Sequence, residues 1–136
     1  MGVNFKKFYP KKWSWYSPPG ITAVADQQTV EQIVANLLTN ASKYSPANSV
    51  VTLILKQSPQ QTTIQICDQG MGISFEEKKH IFERFYRSNN VRGSVAGTGL
   101  GLAIAAQLAA LNQLKLTVSN NVPHGSIFSL IFENRN

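Results

Sequence analysis

The sequence predicts an α/β two-layer sandwich, with a mixed, mainly antiparallel sheet of about five strands covered on one face by about three helices. Apolar residues recur with helical spacing in two segments, and each segment is followed by two short runs rich in β-branched and aromatic residues. Helices and strands therefore mix without strict alternation. A length of 136 residues suits a single domain.

The first predicted element is an edge strand. Residues 13–15 (Trp-Ser-Trp) alternate as an edge strand does, and the Pro-Pro-Gly run over residues 18–20 then turns the chain. We expect residues 1–19 to form a linker with this strand, and residues 20–136 to form the single domain.

Within that domain, residues 21–25 predict a short apolar strand, and Asp26 can cap a helix that we place over residues 27–43. The apolar positions of this helix follow the i, i+3, i+4, i+7 rule. They are Val30, Ile33, Val34, Leu37, Leu38 and Ala41.

Two β-rich runs, residues 50–57 and 62–68, flank a Ser-Pro-Gln-Gln turn and predict an antiparallel hairpin. Ser74 and Glu77 form a capping-box pair, which predicts a short helix that ends near Phe82.

The last part of the chain begins with residues 85–97, which show no periodicity and have the composition of a loop. An Ala-rich helix over residues 100–111 follows. Closing strands over residues 114–119 and 126–132 complete the predicted sheet.

The composition excludes several classes of protein. The longest apolar stretches fall short of the roughly 18 residues that span a membrane, and no secretory signal is visible. One cysteine excludes an internal disulfide and a multi-cysteine metal site, so a reducing, cytoplasmic setting fits best. The net charge of +6 invites a phosphate-bearing partner. Four of the lysines lie in residues 1–19, which contain no acid, so residues 20–136 carry only +2.

The common nucleotide-binding signatures are absent. No Gly-Lys pair occurs, which excludes the phosphate loop of P-loop ATPases. Residues 97–101 read GxGxG, but Leu102 stands where a dinucleotide site needs a third glycine. The protein-kinase motifs are also missing.

A different group of polar residues lies on the first long helix. Asn36 and Asn40 are four residues apart and share one face, with Lys43 one turn further and Tyr44 beside it. Amide oxygens suit Mg²⁺, and an ammonium group suits the phosphates that the cation bridges. The alternative is a polar stripe on a half-exposed helix.

Two glycine-rich segments complete this pattern. Asp68, Gly70, Gly72 and Ile73 form a DxGxGI sequence after a strand, where a carboxylate can accept a hydrogen bond from an adenine amine. An ordinary strand-to-helix turn is the alternative. Residues 97–102 open a helix, whose free N–H groups favour an anion, although a flexible loop before a helix is also possible.

Four motifs together resemble the N box, first glycine box, F box and second glycine box of sensor histidine kinases, in that family's order and at similar spacing. They are Asn36-Leu-Leu-Thr-Asn40-Ala-Ser-Lys43-Tyr44-Ser45, then Asp68-x-Gly70-x-Gly72-Ile73, then Ile81-Phe-Glu-Arg-Phe85-Tyr86-Arg87, then Gly97-Thr-Gly-Leu-Gly-Leu102. The resemblance implies the ATP-binding catalytic domain of a two-component kinase, with the fold shared by gyrase, Hsp90-type chaperones and MutL.

This resemblance also implies roles for individual residues. Asn40 would bind Mg²⁺ with help from Asn36, Lys43 would contact phosphates, Tyr44 would lie against the adenine, and Asp68 would bind its amine. The full ATP-binding set implied is Asn36, Asn40, Lys43, Tyr44, Asp68, Gly70, Gly72, Ile73, Arg87, Gly97, Thr98, Gly99, Leu100, Gly101 and Leu102.

Three residues would act on the reaction itself: Asn40, Lys43 and Arg87, the last as a candidate contact to the γ-phosphate. Residues 88–97 would form a mobile ATP lid. The phosphate suggested by the charge is then that of a nucleotide, and we expect no nucleic-acid partner and no direct membrane contact.

The departures from the family concern the phosphate acceptor. Neither His80 nor His124 has the sequence context of an acceptor histidine, so the chain is not expected to autophosphorylate alone. We expect its partners to be the dimerisation domain of the same kinase, carried by a longer natural protein that could be membrane-anchored, and a response regulator. The isolated chain should be a cytoplasmic monomer. We interpret His124-Gly125-Ser126, a reduced form of the closing glycine box, as a peripheral turn.

Two other functions remain open at this point. A free-standing serine kinase of the anti-sigma-factor type shares the fold, but the F-E-R-F-Y-R sequence is more characteristic of histidine kinases. A nucleotide-binding module without phosphoryl transfer is the second alternative.

Overall fold

The computed structural model describes residues 13–16, 27–46, 49–83 and 101–133. The strands are β1 (Trp13–Tyr16), β2 (Val51–Gln57), β3 (Gln61–Cys67), β4 (Lys115–Asn120) and β5 (Ser126–Glu133). The helices are α1 (Gln27–Tyr44), α2 (Phe75–Lys78) and α3 (Gly101–Leu111).

These strands form one sheet in the order β1-β2-β3-β5-β4. β1 pairs with β2 in parallel, and the other three pairings are antiparallel. The predicted five-stranded, mixed and mainly antiparallel sheet is therefore confirmed, as are the strand at Trp13–Tyr16 and the β2–β3 hairpin.

One face of the sheet forms the core. Successive residues of a strand point to opposite faces, and the register aligns Leu53, Ile66 and Phe128 in one row across the central strands. All three side chains are fully buried. The half-buried Phe82 packs edge-on against Phe128, with ring centroids 6.2 Å apart.

Helix α1 buries the apolar stripe that its sequence predicts. Ile33, Val34 and Leu37 are fully buried, because their spacing places them on one side of the helix, against the sheet. Helix α3 packs beside α1 and buries only alanines, namely Ala103, Ala105 and Ala109. Small side chains let the two helices approach closely.

Helix α2 is shorter than predicted, because it ends at Lys78 rather than near Phe82. Its start is as predicted: the Ser74 hydroxyl accepts a hydrogen bond of 3.1 Å from the Glu77 N–H. Beyond the helix, the N–H groups of His80 and Glu83 bond three residues back, so the chain tightens into turns.

The strand predicted for residues 21–25 and the lid predicted for residues 88–97 lie outside the described residues, and the division of the chain at residues 19 and 20 stays a prediction. No helix within the described ranges is long and apolar enough to cross a membrane.

Candidate functional site

The site is built around Asp68, which directly follows β3. The residue is 4% exposed, and its Oδ1 accepts hydrogen bonds from the Gly70 N–H at 2.9 Å and the Ser126 N–H at 3.1 Å. The Asp68 N–H in turn donates to the Ser126 carbonyl at 2.9 Å. Two N–H groups thus hold Oδ1 in place. No described residue donates a hydrogen bond to Oδ2, so this oxygen can accept one from a ligand.

Burial raises the pKa of Asp68 above its ordinary value of 3.8, because desolvation disfavours the carboxylate. The N–H groups of Gly70 and Ser126, and the nearby His124, act in the opposite direction and partly offset this effect. A buried carboxylate of this kind gains more than an exposed one from a hydrogen-bond donor on a bound ligand.

The turn between β4 and β5, residues 121–125, packs directly on the loop between β3 and α2, residues 68–74, which we call the Asp68 loop. The Asn121 side-chain amide donates to the Asp68 main-chain carbonyl at 2.8 Å. The His124 Nδ1 lies 3.1 Å from the Gly70 carbonyl. The interpretation of this turn as peripheral is therefore wrong. Although Asn121 and Asp68 are 53 residues apart in the sequence, their hydrogen bond places the turn against the candidate ligand residue Asp68.

Two glycines make this close packing possible. Gly125 has φ +109°, and a Cβ at this position would lie 2.0 Å from the Asp68 carbonyl oxygen. Gly72 has φ +80°, and its Cβ would lie 3.2 Å from the Gly125 carbonyl oxygen. Both positions therefore favour glycine for their backbone conformation, and Gly125 also lacks the space for a side chain.

The predicted residues of α1 lie along one stripe of the helix. Asn36 and Asn40 are half-buried and Lys43 is exposed. No hydrogen bond joins the side-chain amide of Asn36 or Asn40 to another described residue, so their oxygens are available to a cation. Tyr44 ends the helix.

The segment after α1 meets the Asp68 loop at one edge of the sheet. The chain after α1 reaches β2 at Val51, and the start of β2 pairs with the end of β3 through Thr52 and Cys67. The Val50 N–H contacts the Gln69 side-chain oxygen at 3.4 Å. The segment that leads from α1 into β2 therefore contacts the turn after Asp68.

Helix α3 leads into a strand that runs to this edge. A short turn joins its last residue, Leu111, to the first residue of β4, and β4 runs back to the edge where Asp68 lies. Gly101 is exposed at the start of α3, and Leu102 packs against the core, as does Ile73. Of the second glycine box, only Gly101 and Leu102 are described. Arg87 and residues 97–100 lie outside the described residues.

The residues present fit a Mg²⁺ site of limited protein ligation. Among the described residues, no group of three or more His, Cys, Asp or Glu side chains could hold a metal ion. Mg²⁺ often binds through one or two protein oxygens while it keeps waters and phosphate oxygens as its other ligands. The amide oxygens of Asn36 and Asn40 suit that kind of site.

Comparison with known proteins decides the family. Residues 25–136 match the model of the family described as histidine kinase-, DNA gyrase B-, and HSP90-like ATPase. The chain belongs to this ATPase family. It is accordingly a nucleotide-binding domain, and the fold class and the resemblance indicated by the four motifs are confirmed.

The relatives are sensor kinases. The chain is 34% identical to the sensor histidine kinase YvrG of Bacillus subtilis over 79% of its own length and 19% of that protein. It is 37% identical to the sensor histidine kinase RppB of Synechocystis over 81% of its length and 24% of that protein. The chain therefore spans about a fifth to a quarter of these relatives.

Solved structures agree with the fold. The mycobacterial sensor histidine kinase MprB superposes with a TM-score of 0.77 at 31% identity, over 91% of this chain and 82% of that chain. The catalytic domain of histidine kinase ThkA gives a TM-score of 0.76 at 21% identity, over 90% of this chain and 79% of that one, which supports the fold alone.

Sequence reasoning missed the roles of Asn121, His124 and Gly125. The one available signal was Gly125 itself, because a glycine immediately before a strand marks a turn or a close approach of backbone. Nothing local indicates that the neighbour is Asp68, which is 58 residues away from Ser126.

Proposed function

We propose that this ATPase domain is the catalytic domain of a two-component sensor histidine kinase, and that it supplies the γ-phosphate of Mg·ATP to a histidine on a separate dimerisation domain. One observation carries most weight: the buried Asp68 carboxylate has one oxygen fixed by two N–H donors and the other without a described partner. The sensor-kinase relatives support the same function.

The adenine end of ATP would bind at the Asp68 loop. The exocyclic amine would donate a hydrogen bond to Oδ2, and Gly70 and Gly72 would let the base approach the backbone closely. Tyr44, at the end of α1, would cover the ring. This pocket would distinguish adenine from guanine, because guanine presents a carbonyl oxygen where adenine presents the amine.

The triphosphate would extend towards α1 and α3. Asn40, assisted by Asn36, would hold Mg²⁺, which neutralises phosphate charge when bound. Lys43 would contact phosphate directly, and the N–H groups at residues 97–102 would donate hydrogen bonds to phosphate oxygens. Arg87 would contact the γ-phosphate, and residues 88–97 would close over the nucleotide.

Phosphoryl transfer asks these residues chiefly for position and charge neutralisation. An imidazole nitrogen of the acceptor histidine attacks the γ-phosphorus. The new N–P bond forms while the bond from phosphorus to the bridging oxygen breaks, and ADP leaves with that oxygen. The attacking imidazole gives up a proton, so the step conserves atoms and charge.

We propose the partners to be the dimerisation domain of the parent kinase, which carries the acceptor histidine, and a response regulator that later takes the phosphoryl group. The reaction would take place in the cytoplasm, where ATP is available.

The test is a transfer assay with γ-labelled ATP, in which the purified chain is mixed with the separately produced dimerisation domain. We expect label on that domain that is stable to alkali and labile to acid, as phosphohistidine is. Label on a serine of another protein would favour the anti-sigma-factor type of kinase instead. ADP binding without any transfer would leave only the nucleotide-binding module.

One matched pair and two single variants assign the residues. Lys43→Ala should impair transfer, whereas Lys56→Ala, which removes an exposed lysine of β2, should not. Asn40→Asp should abolish Mg·ATP binding. Arg87→Ala should keep most nucleotide binding and lose transfer, so loss of adenosine binding in that variant would contradict its proposed role.

A further inference from the structure

We infer that the β4–β5 turn, residues 121–125, sets the adenine selectivity of the site, with Asn121 and His124 as positioning residues that act through Asp68. This inference rests on the proposed function, because it assumes that Asp68 binds the adenine amine. It adds a control of that contact by a turn that lies outside the four motifs in the sequence.

The geometry on which this rests is a pair of hydrogen bonds from Asn121 and His124 to the main chain of residues 68–70, here called the bracket. Asn121 Nδ2 donates to the main-chain carbonyl of Asp68 at 2.8 Å. The carbonyl of Gly70, two residues after Asp68, accepts a hydrogen bond from His124 Nδ1 at 3.1 Å. A carbonyl oxygen can only accept, so Nδ1 of His124 carries the proton in this contact. The turn thus holds the main chain at the Asp68 carbonyl and again two residues beyond it.

The turn is itself held in shape. The Asn121 N–H donates to the Gly125 carbonyl at 3.0 Å, and the Asn121 Oδ1 accepts from the Val122 N–H at 2.8 Å. Asn121 therefore uses both ends of its amide, one within the turn and one on Asp68. The Asn121 side chain therefore links the turn to the Asp68 loop, so that a shift of one moves the other.

The direction of Oδ2 follows from this arrangement. Oδ1 is fixed by N–H groups of Gly70 and Ser126, which lie on the two segments that the turn holds together. If the Asp68 loop shifts relative to β5, these two donors no longer converge on one oxygen, and the carboxylate can rotate. A rotated carboxylate loses the aligned hydrogen bond to the amine, because such bonds weaken steeply away from linearity.

The test compares two nucleotides on the same variants by calorimetry: ADP, and purine ribonucleoside diphosphate, which has hydrogen in place of the 6-amino group. Asn121→Ala should weaken ADP binding about 3- to 10-fold, the usual range for one lost hydrogen bond. It should change binding of the purine nucleotide less than about twofold, since that ligand makes no bond to Oδ2.

Matched variants complete the design. Asn120→Ala removes the exposed neighbouring asparagine at the end of β4 and should leave both affinities unchanged. His124→Ala should act as Asn121→Ala does. His124→Asn should restore ADP binding, because the asparagine amide can place a donor near the position of Nδ1.

An equal loss for both nucleotides would overturn this inference, since it would indicate a merely structural role for the turn. Unchanged ADP binding in Asn121→Ala would overturn it as well. Failure of the unaltered chain to bind either nucleotide would overturn the proposed function itself, and the inference with it. Thermal unfolding of each variant confirms that the comparison is made on folded protein.

Discussion

Replacement of Gly125 by alanine tests the packing of the site most severely. Its backbone has φ +109°, and an added Cβ would lie 2.0 Å from the Asp68 carbonyl oxygen and 2.8 Å from its carbon. Unfavourable backbone conformations of this kind cost about 1–3 kcal/mol, and forced overlap in a packed region costs about 1–3 kcal/mol more. We therefore expect Gly125→Ala to lose about 2–6 kcal/mol of the free energy of unfolding.

Two other glycines provide the comparison. Gly72→Ala should lower the free energy of unfolding by about 1–2 kcal/mol, which is the cost of left-handed backbone for alanine. We expect little further loss from packing, since the added Cβ would come no closer than 3.2 Å to another atom. A Cβ at Gly101 would meet nothing within 4 Å, so Gly101→Ala should be neutral or up to about 1 kcal/mol more stable. Urea unfolding followed by circular dichroism measures all three. A Gly125→Ala variant as stable as Gly101→Ala would refute the described packing of the turn on Asp68.

Three further predictions concern stability. Because the pKa of Asp68 is raised, its carboxyl group stays protonated in the folded chain at pH values where it is already ionised in the unfolded chain. The contribution of Asp68 to the free energy of unfolding therefore falls as the pH rises from about 3.8 through the folded pKa. Asp68→Asn should therefore raise the midpoint of thermal unfolding of the nucleotide-free chain at pH 7, and the difference should vanish in acid. Leu37→Ala should cost about 2–5 kcal/mol, because Leu37 is fully buried between helix and sheet, and equilibrium unfolding in urea measures this loss. Ser74→Ala should cost about 1 kcal/mol by the same assay, since it removes the cap bond to Glu77.

Most of the fold could be predicted from local patterns. The helix predicted over residues 27–43 is observed as Gln27–Tyr44, because its apolar stripe and its packing against the sheet agree. The hairpin of β2 and β3 likewise follows from alternation and a turn. Helix α2 is the exception. Its capping signal is correct, but its continuation depends on tertiary packing of Ile81 and Phe82, and local propensity does not encode that packing.

The candidate site, like the fold, could be predicted from the sequence only in part. The motifs single out Asp68 and the stripe of Asn36, Asn40 and Lys43, and the topology places the segment after α1 beside the Asp68 loop. The bracket formed by Asn121 and His124 could not be predicted, because hydrogen bonds to main-chain carbonyls depend on the path of the backbone and leave no pattern of residue types. Such contacts span 53 and 54 residues of chain.

The most direct test of the central claim is the binding of ADP to the Asp68→Asn variant, measured by calorimetry beside the unaltered chain. Asparagine can keep the two N–H bonds through its oxygen, but it then presents an NH₂ group to the adenine amine, so a donor meets a donor. We expect affinity to fall by at least about tenfold, since a hydrogen bond to a charged group contributes about 1.5–3 kcal/mol. Glu76→Gln, which neutralises an exposed carboxylate of α2, should bind ADP normally. Unchanged ADP affinity in Asp68→Asn would contradict the account.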